Sequence, residues 1–186
     1  MNPTDAIDVI DQAAGLQTGG ALHGARRFRA KVVDATQASH DALLLQPVAG
    51  LSVADRLRVA VQACEAAAAP GLAAHYRQML QAHDQPASAA LPAMQQFALA
   101  LTTDPRSGDR AAIAALKGAG LDDPAIVALA QLVAFLSYQT RVVAGLKAMG
   151  AGAGAGAAGG TGVTGAAGVA GVAGVAETSG STGAAR

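Results

Sequence analysis

Apolar residues recur along this chain at spacings of three and four, and no stretch alternates apolar with polar between turn signals. That period predicts helices and argues against strands. Thr4 can cap a short helix over about 5–14, with Asp5 in its first turn and Gly15 just past its end. Gly19 and Gly20 break the chain, and a helical stretch follows over about 21–45, interrupted near 30–33 and stopped at Pro47. Ser52 is a good N-cap for the next helix, in which Leu57, Ala60, Val61 and Cys64 form one buried stripe. Pro70 cannot donate a helical hydrogen bond but suits a first turn, so a break near 69 precedes a helix over about 70–82. Leu91, Met94, Phe97, Ala98 and Leu101 mark a helix over about 90–102, and a short helix is expected at about 109–118. The longest helix is capped by Asp122, carries Pro124 in its first turn and is expected to end near 148. Its run 125–138 is the most apolar of the chain; it is shorter than the roughly 20 residues a bilayer requires and reads as a helix buried on nearly all sides.

Residues 150–186 differ in kind. They hold more than half of the 23 glycines, and "GVAGVAGVA" repeats over 168–176. Gly disfavours a helix and nothing here fills a core, so the segment reads as a flexible tail or linker. The division expected is an N-terminal helical extension over 1–34, a helical domain over 35–149 and the tail over 150–186.

Composition narrows the packing. Hydrophobic residues make up 52% of 186, yet aromatics are only 3% and Trp is absent. The core is then Leu, Val, Ile, Met and Ala, whose small faces let helices approach closely. Charge is balanced, 13 Lys+Arg against 13 Asp+Glu. The one basic cluster, Arg26, Arg27, Arg29 and Lys31, reads as a solvated helix face, so no nucleic-acid partner is expected. The acidic start "MNPTDAIDVIDQ" lacks a basic n-region, which argues against a signal peptide; a cytoplasmic protein without a membrane partner is the expectation.

The stretch "LSVADRLRVAVQACEAAAAPGLAAHYRQML" resembles the central helix pair of the carboxymuconolactone decarboxylase family, which includes the alkylhydroperoxidase D-like proteins. "TTDP", "ALKGAGLDDPAIVALAQLVAFLSYQTRV" and "AGLKAMG" resemble its C-terminal helices, so the likeness covers about 35–150. It implies an all-α alkylhydroperoxidase D-like bundle, usually a homo-oligomer. Peroxidase members carry Cys-x-x-Cys at a helix start, a His four residues on, and a Glu on the preceding helix. A thiolate is stabilised there by the helix end and the His, and the second Cys resolves the oxidised first. Here His75 stands at the His position, but the cysteine positions fall on Ala68 and Gly71, and the Glu position falls near Arg56 or Leu57.

The candidate site residues are therefore His75 and Cys64. Cys64, the only cysteine, lies before the first motif position on an apolar stripe, where a buried small hydrophobe is the bland reading and a one-cysteine peroxidatic or sensing thiol, or an intermolecular role, the sharper ones. His75 is either a half-buried, hydrogen-bonded histidine or a retained pocket residue that binds a small acid or relays a proton. His23, His40 and His83 show no metal-ligand spacing, and adjacency does not put His40 and Asp41 on one helix face. Tyr138 and Arg141, one turn apart, either line a pocket or pack together at the surface. No cofactor and no metal is expected.

The leading reading is a non-redox member, or a partner subunit of an active relative. The alternatives are a decarboxylase-type enzyme using His75 as base with Arg56 holding a carboxylate, a peroxidase using Cys64, and a scaffolding module tethered by its tail. A homo-oligomer is expected, joined through the 125–138 helix or the 57–64 stripe.

Overall fold

The computed structural model describes residues 8–83 and 85–158. Among them the protein is all-helical: α1 (Val9–Ala14), α2 (Ala21–Arg27), α3 (Ala30–Leu44), α4 (Val53–Ala66), α5 (Pro70–Gln81), α6 (Leu91–Thr103), α7 (Arg110–Gly118) and α8 (Asp123–Ala158), with a 3-10 turn at Pro105–Ser107. The Thr4 cap lies outside the described residues; Asp8 caps α1 instead, accepting from the Asp11 amide at 2.9 Å. Gly15 ends α1 at φ 73°, a left-handed conformation that costs Gly nothing. The break between α2 and α3 falls at Phe28 and Arg29 rather than at 30–33.

The bundle is built around α4. Ser52 accepts from the Asp55 amide at 3.0 Å, as its N-cap position requires. Leu57, Val59, Ala60, Ala63 and Cys64 are all buried, and α4 packs against α3, α5, α6 and α8. Alanines on its contact faces admit these neighbours at short range. Of the 57–64 stripe, Leu57, Ala60 and Cys64 are buried within the chain, and Val61 is partly buried.

α8 departs from expectation twice. It runs on through Ala158, past both the expected end near 148 and the residue-150 start of the low-complexity stretch. Alanine, the best helix former, alternates there with glycines that each cost roughly 1 kcal/mol relative to it. The span Asp123–Gly152 is, by length and composition, enough to cross a membrane, which the 125–138 run alone is not. Nor is the helix buried all round. Ala125, Ile126, Leu129, Leu132, Val133, Leu136 and Val143 face the core, while Val127, Gln131, Ala134, Tyr138, Arg141 and Lys147 are exposed. Packing of one face accounts for much of the apolar content.

The basic cluster is divided rather than solvated. Arg29 and Lys31 are exposed. Arg26 and Arg27 turn inward to the buried Asp11, each at 2.7 Å, and Arg26 also meets Asp8 at 2.7 Å. A charge taken out of water needs such partners. The sequence pattern missed this because the acids lie on α1 and at its cap, 15 to 18 residues upstream.

Candidate functional site

The hairpin of α4 and α5 carries both candidate residues, but it does not make a thiol site of them. Cys64 has no exposed surface. Burial, and then the charge of neighbouring Glu65, push its thiol from 9.0 up to about 12. A reactive cysteine needs the opposite, an electropositive and accessible setting that favours the thiolate. Cys64 sits beside Tyr76, whose hydroxyl is held in the neutral form by burial and then by Cys64, while its hydrogen bond to Gln139 of α8 acts the other way. The bland reading of Cys64 is the one the geometry carries.

The positions that resemble the cysteine pair lie in the interhelical turn and in the first turn of α5. Ala68 lies in the interhelical turn at φ 52°, the one described non-glycine residue in the left-handed region. Gly71 opens α5 and faces α1: a Cβ there would lie 3.0 Å from the Ala13 carbonyl oxygen. The N-terminal helix therefore crowds any side chain at 71.

Arg56, placed by the sequence near the family's Glu and considered as a carboxylate clamp, has a different task. It is buried and donates to the Leu43 carbonyl at 2.8 Å and the Gln46 carbonyl at 2.7 Å. Leu43 lies in the last turn of α3, where helical carbonyls lack intrahelical partners, and Gln46 just beyond its C-cap Leu45. Its burial lowers its pKa, and its fork is taken up by backbone. Arg141 and Tyr138 also stand apart from His75. Arg141 lines a shallow pocket with Ala67, Thr102, Ser137 and Thr140. Tyr138 lines a separate groove with Phe28, Val32, Thr36 and Val142. The two do not share a pocket.

His75 does have neighbours, and sequence reasoning missed the main one. The His40 ring of α3 lies 5.9 Å from the His75 ring, centre to centre, and stacks on Tyr76 at 6.0 Å with 17° between planes. His75 meets Tyr76 edge-on at 5.3 Å. His40 is 4% exposed. Its Nδ1 lies 2.8 Å from Asp41 Oδ1, which also accepts from Gln37 Nε2 at 2.9 Å. Adjacent residues on a helix do not share a face, yet the short Asp41 side chain reaches back, and Gln37 one turn earlier steadies it. Gln37 Nε2 also lies 3.3 Å from His40 Nδ1, so which ring nitrogen carries the hydrogen depends on whether Asp41 or Gln37 is its partner. The Nε2 atoms of both His40 and His75 are buried and find no hydrogen-bond partner among the described residues. Burial, then the nearby His40, lower the His75 pKa and favour its neutral form. His75 is half-buried as expected, but its Nε2 is not the satisfied atom the bland reading supposes. His23 and His83 lie elsewhere; His23 approaches Asp11 at 3.9 Å. Among the described residues no group of three His, Cys, Asp or Glu side chains could hold a metal ion.

No family model matches the chain, and no curated protein matches it. Among solved structures, an uncharacterized peroxidase-related protein from Silicibacter sp. TM1040 shares the fold, with a TM-score of 0.51 and 20% identity over 74% of this chain and 78% of that one. At that identity the likeness speaks for the helical fold.

Proposed function

We propose that the chain is a non-redox member of the alkylhydroperoxidase D-like group within the carboxymuconolactone decarboxylase family. The reading draws on the motif resemblance and the shared fold. The observation that carries it is the state of the two motif positions. One is an alanine in a left-handed turn, and the other is a glycine against the Ala13 backbone. With Cys64 sealed in the core, two-thiol peroxide reduction has no sulfur pair to run on. What remains is a buried aromatic and imidazole cluster, His40, His75 and Tyr76, suited to binding or proton transfer. Purified protein assayed for hydroperoxide turnover with a dithiol reductant is expected to show none. Robust turnover abolished by Cys64→Ser would overturn the reading.

A homo-oligomer, or a pairing with an active relative, fits the exposed apolar side chains on one flank. Phe28 is 88% exposed, and Val32 and Tyr138 flank the same groove. Light scattering at micromolar concentration is expected to report at least a dimer, and a monomer there would count against self-association.

A further inference from the structure

We propose that the outward face of α8 is a seam for a second copy of this chain, with the two α8 helices antiparallel about a two-fold axis between Gln131 and Ala134. The proposal rests on the self-association reading above and gives it a helix, a direction and a register.

The exposed positions of α8 follow a seven-residue repeat. Val127, Gln131, Ala134, Tyr138 and Arg141 alternate steps of four and three, and all five are exposed. That spacing is the one that keeps a single face turned towards a partner helix. The opposite side of the same repeat, Ala125, Ile126, Leu129, Leu132, Val133 and Leu136, is buried in the chain's own core. The seam is therefore the part of α8 that this chain leaves uncovered. No charged residue occurs from Pro124 to Thr140, and Val127 and Tyr138 are 55% and 42% exposed. Phe135 lies beside the seam, 6.3 Å from Tyr138 ring to ring, and Phe28 lines a groove with Tyr138 and Val142, which widens the apolar surface.

Size and charge select the second copy and its direction. About that axis Tyr138 packs on the partner's Val127, and the small Ala134 faces the longer side chain of the partner's Gln131. Arg141 then reaches the start of the partner's α8, where Asp122 and Asp123 are exposed. Arg141 has no hydrogen bond or ion pair among the described residues. Asp123 meets Lys117 through Oδ1 at 2.7 Å, which leaves Oδ2 for the partner's Arg141. The two-fold makes this ion pair twice, once at each end of the seam. A parallel pair would instead set Arg141 on Arg141, and like charges repel. An antiparallel pair centred between Ala134 and Tyr138 would face Arg141 with Gln131 and leave the charges unmatched.

The test uses the full-length chain, with Val127→Cys and Tyr138→Cys proteins oxidised separately and as a mixture. The expected result is a disulfide-linked dimer in the mixture and none from either protein alone; the parent, whose one thiol is the buried Cys64, is the control. Ala134→Arg, at an exposed position that tolerates it in the folded monomer, should reduce the mass by light scattering to that of one chain. Arg141→Glu should weaken the dimer about tenfold, and Asp123→Arg added to it should restore it. Cross-linking of either cysteine protein alone, a mixture without cross-links, or a dimer indifferent to Ala134→Arg would overturn the seam while leaving self-association through another surface. A parent that is monomeric at micromolar concentration would sink both, and if that monomer sediments with phosphatidylcholine vesicles the face belongs to lipid instead.

Discussion

The guanidinium of Arg56 donates to the Leu43 carbonyl at 2.8 Å, and so one residue of α4 closes the C-terminal end of α3. A second arm holds Gln46 O at 2.7 Å, which makes the contact a two-point clamp. Arg56→Met fills similar space but leaves these carbonyls without a donor. The expected loss is roughly 2–4 kcal/mol, since each buried acceptor left unmatched costs about 1–3 kcal/mol. Arg56→Lys should recover part of it, because one ammonium cannot reproduce the fork. Urea unfolding of the three proteins measures this; equal midpoints would refute the clamp.

The turn at Ala68 and Gly71 gives a paired prediction. Ala68→Gly removes the left-handed cost of a Cβ at φ 52° and should stabilise by up to about 1 kcal/mol. Gly71→Ala should act the other way by about 1–2 kcal/mol, because the new methyl meets Ala13 O at 3.0 Å. Thermal melts of both variants decide it, and the same sign for both would contradict the described turn.

Cys64 should be inert while the protein is folded. With its thiol pushed up to about 12, a disulfide reagent at pH 8 should label it only after denaturant is added. The raised value also sets a sign. The unfolded thiol ionises first, so its contribution is complete below the ordinary thiol value of 9.0 and declines as pH rises toward the folded value. Fast labelling of the native protein would show that the core opens around α4.

His75 should tie stability to mild acid. Its pKa is lowered in the fold by burial and by His40, so the unfolded chain takes up the proton first. The stabilising contribution is present above the unfolded value of about 6.5 and is lost as pH falls from there toward the folded value. Denaturant midpoints at pH 7.5 and 5.5 should differ more for the parent than for His75→Gln. A His75→Gln protein with the parent's full pH dependence would assign that dependence to another group.

Local signals in the chain were sufficient for the helices. Ser52, Asp122 and Pro70 stand where caps and first turns need them, and the three-and-four spacing marks the faces that α4 and α6 bury. Period alone could not say how much of α8 is covered, because coverage depends on how many neighbours reach it. For the site, His75 and the missing sulfur pair were legible. His40 was not, since it lies 35 positions from His75 and no spacing rule links different helices. The same holds for Arg56, whose partners at Leu43 and Gln46 lie across a loop.

The sequence by itself determined an all-helical fold among the described residues, one cysteine and no partner sulfur, because helical period, capping and covalent inventory are local properties. Only the tertiary structure decided that Cys64 is sealed, that Arg56 serves backbone oxygens, and that His40 faces His75. Those outcomes depend on which side chains share low-dielectric space, and distance along the chain does not encode that.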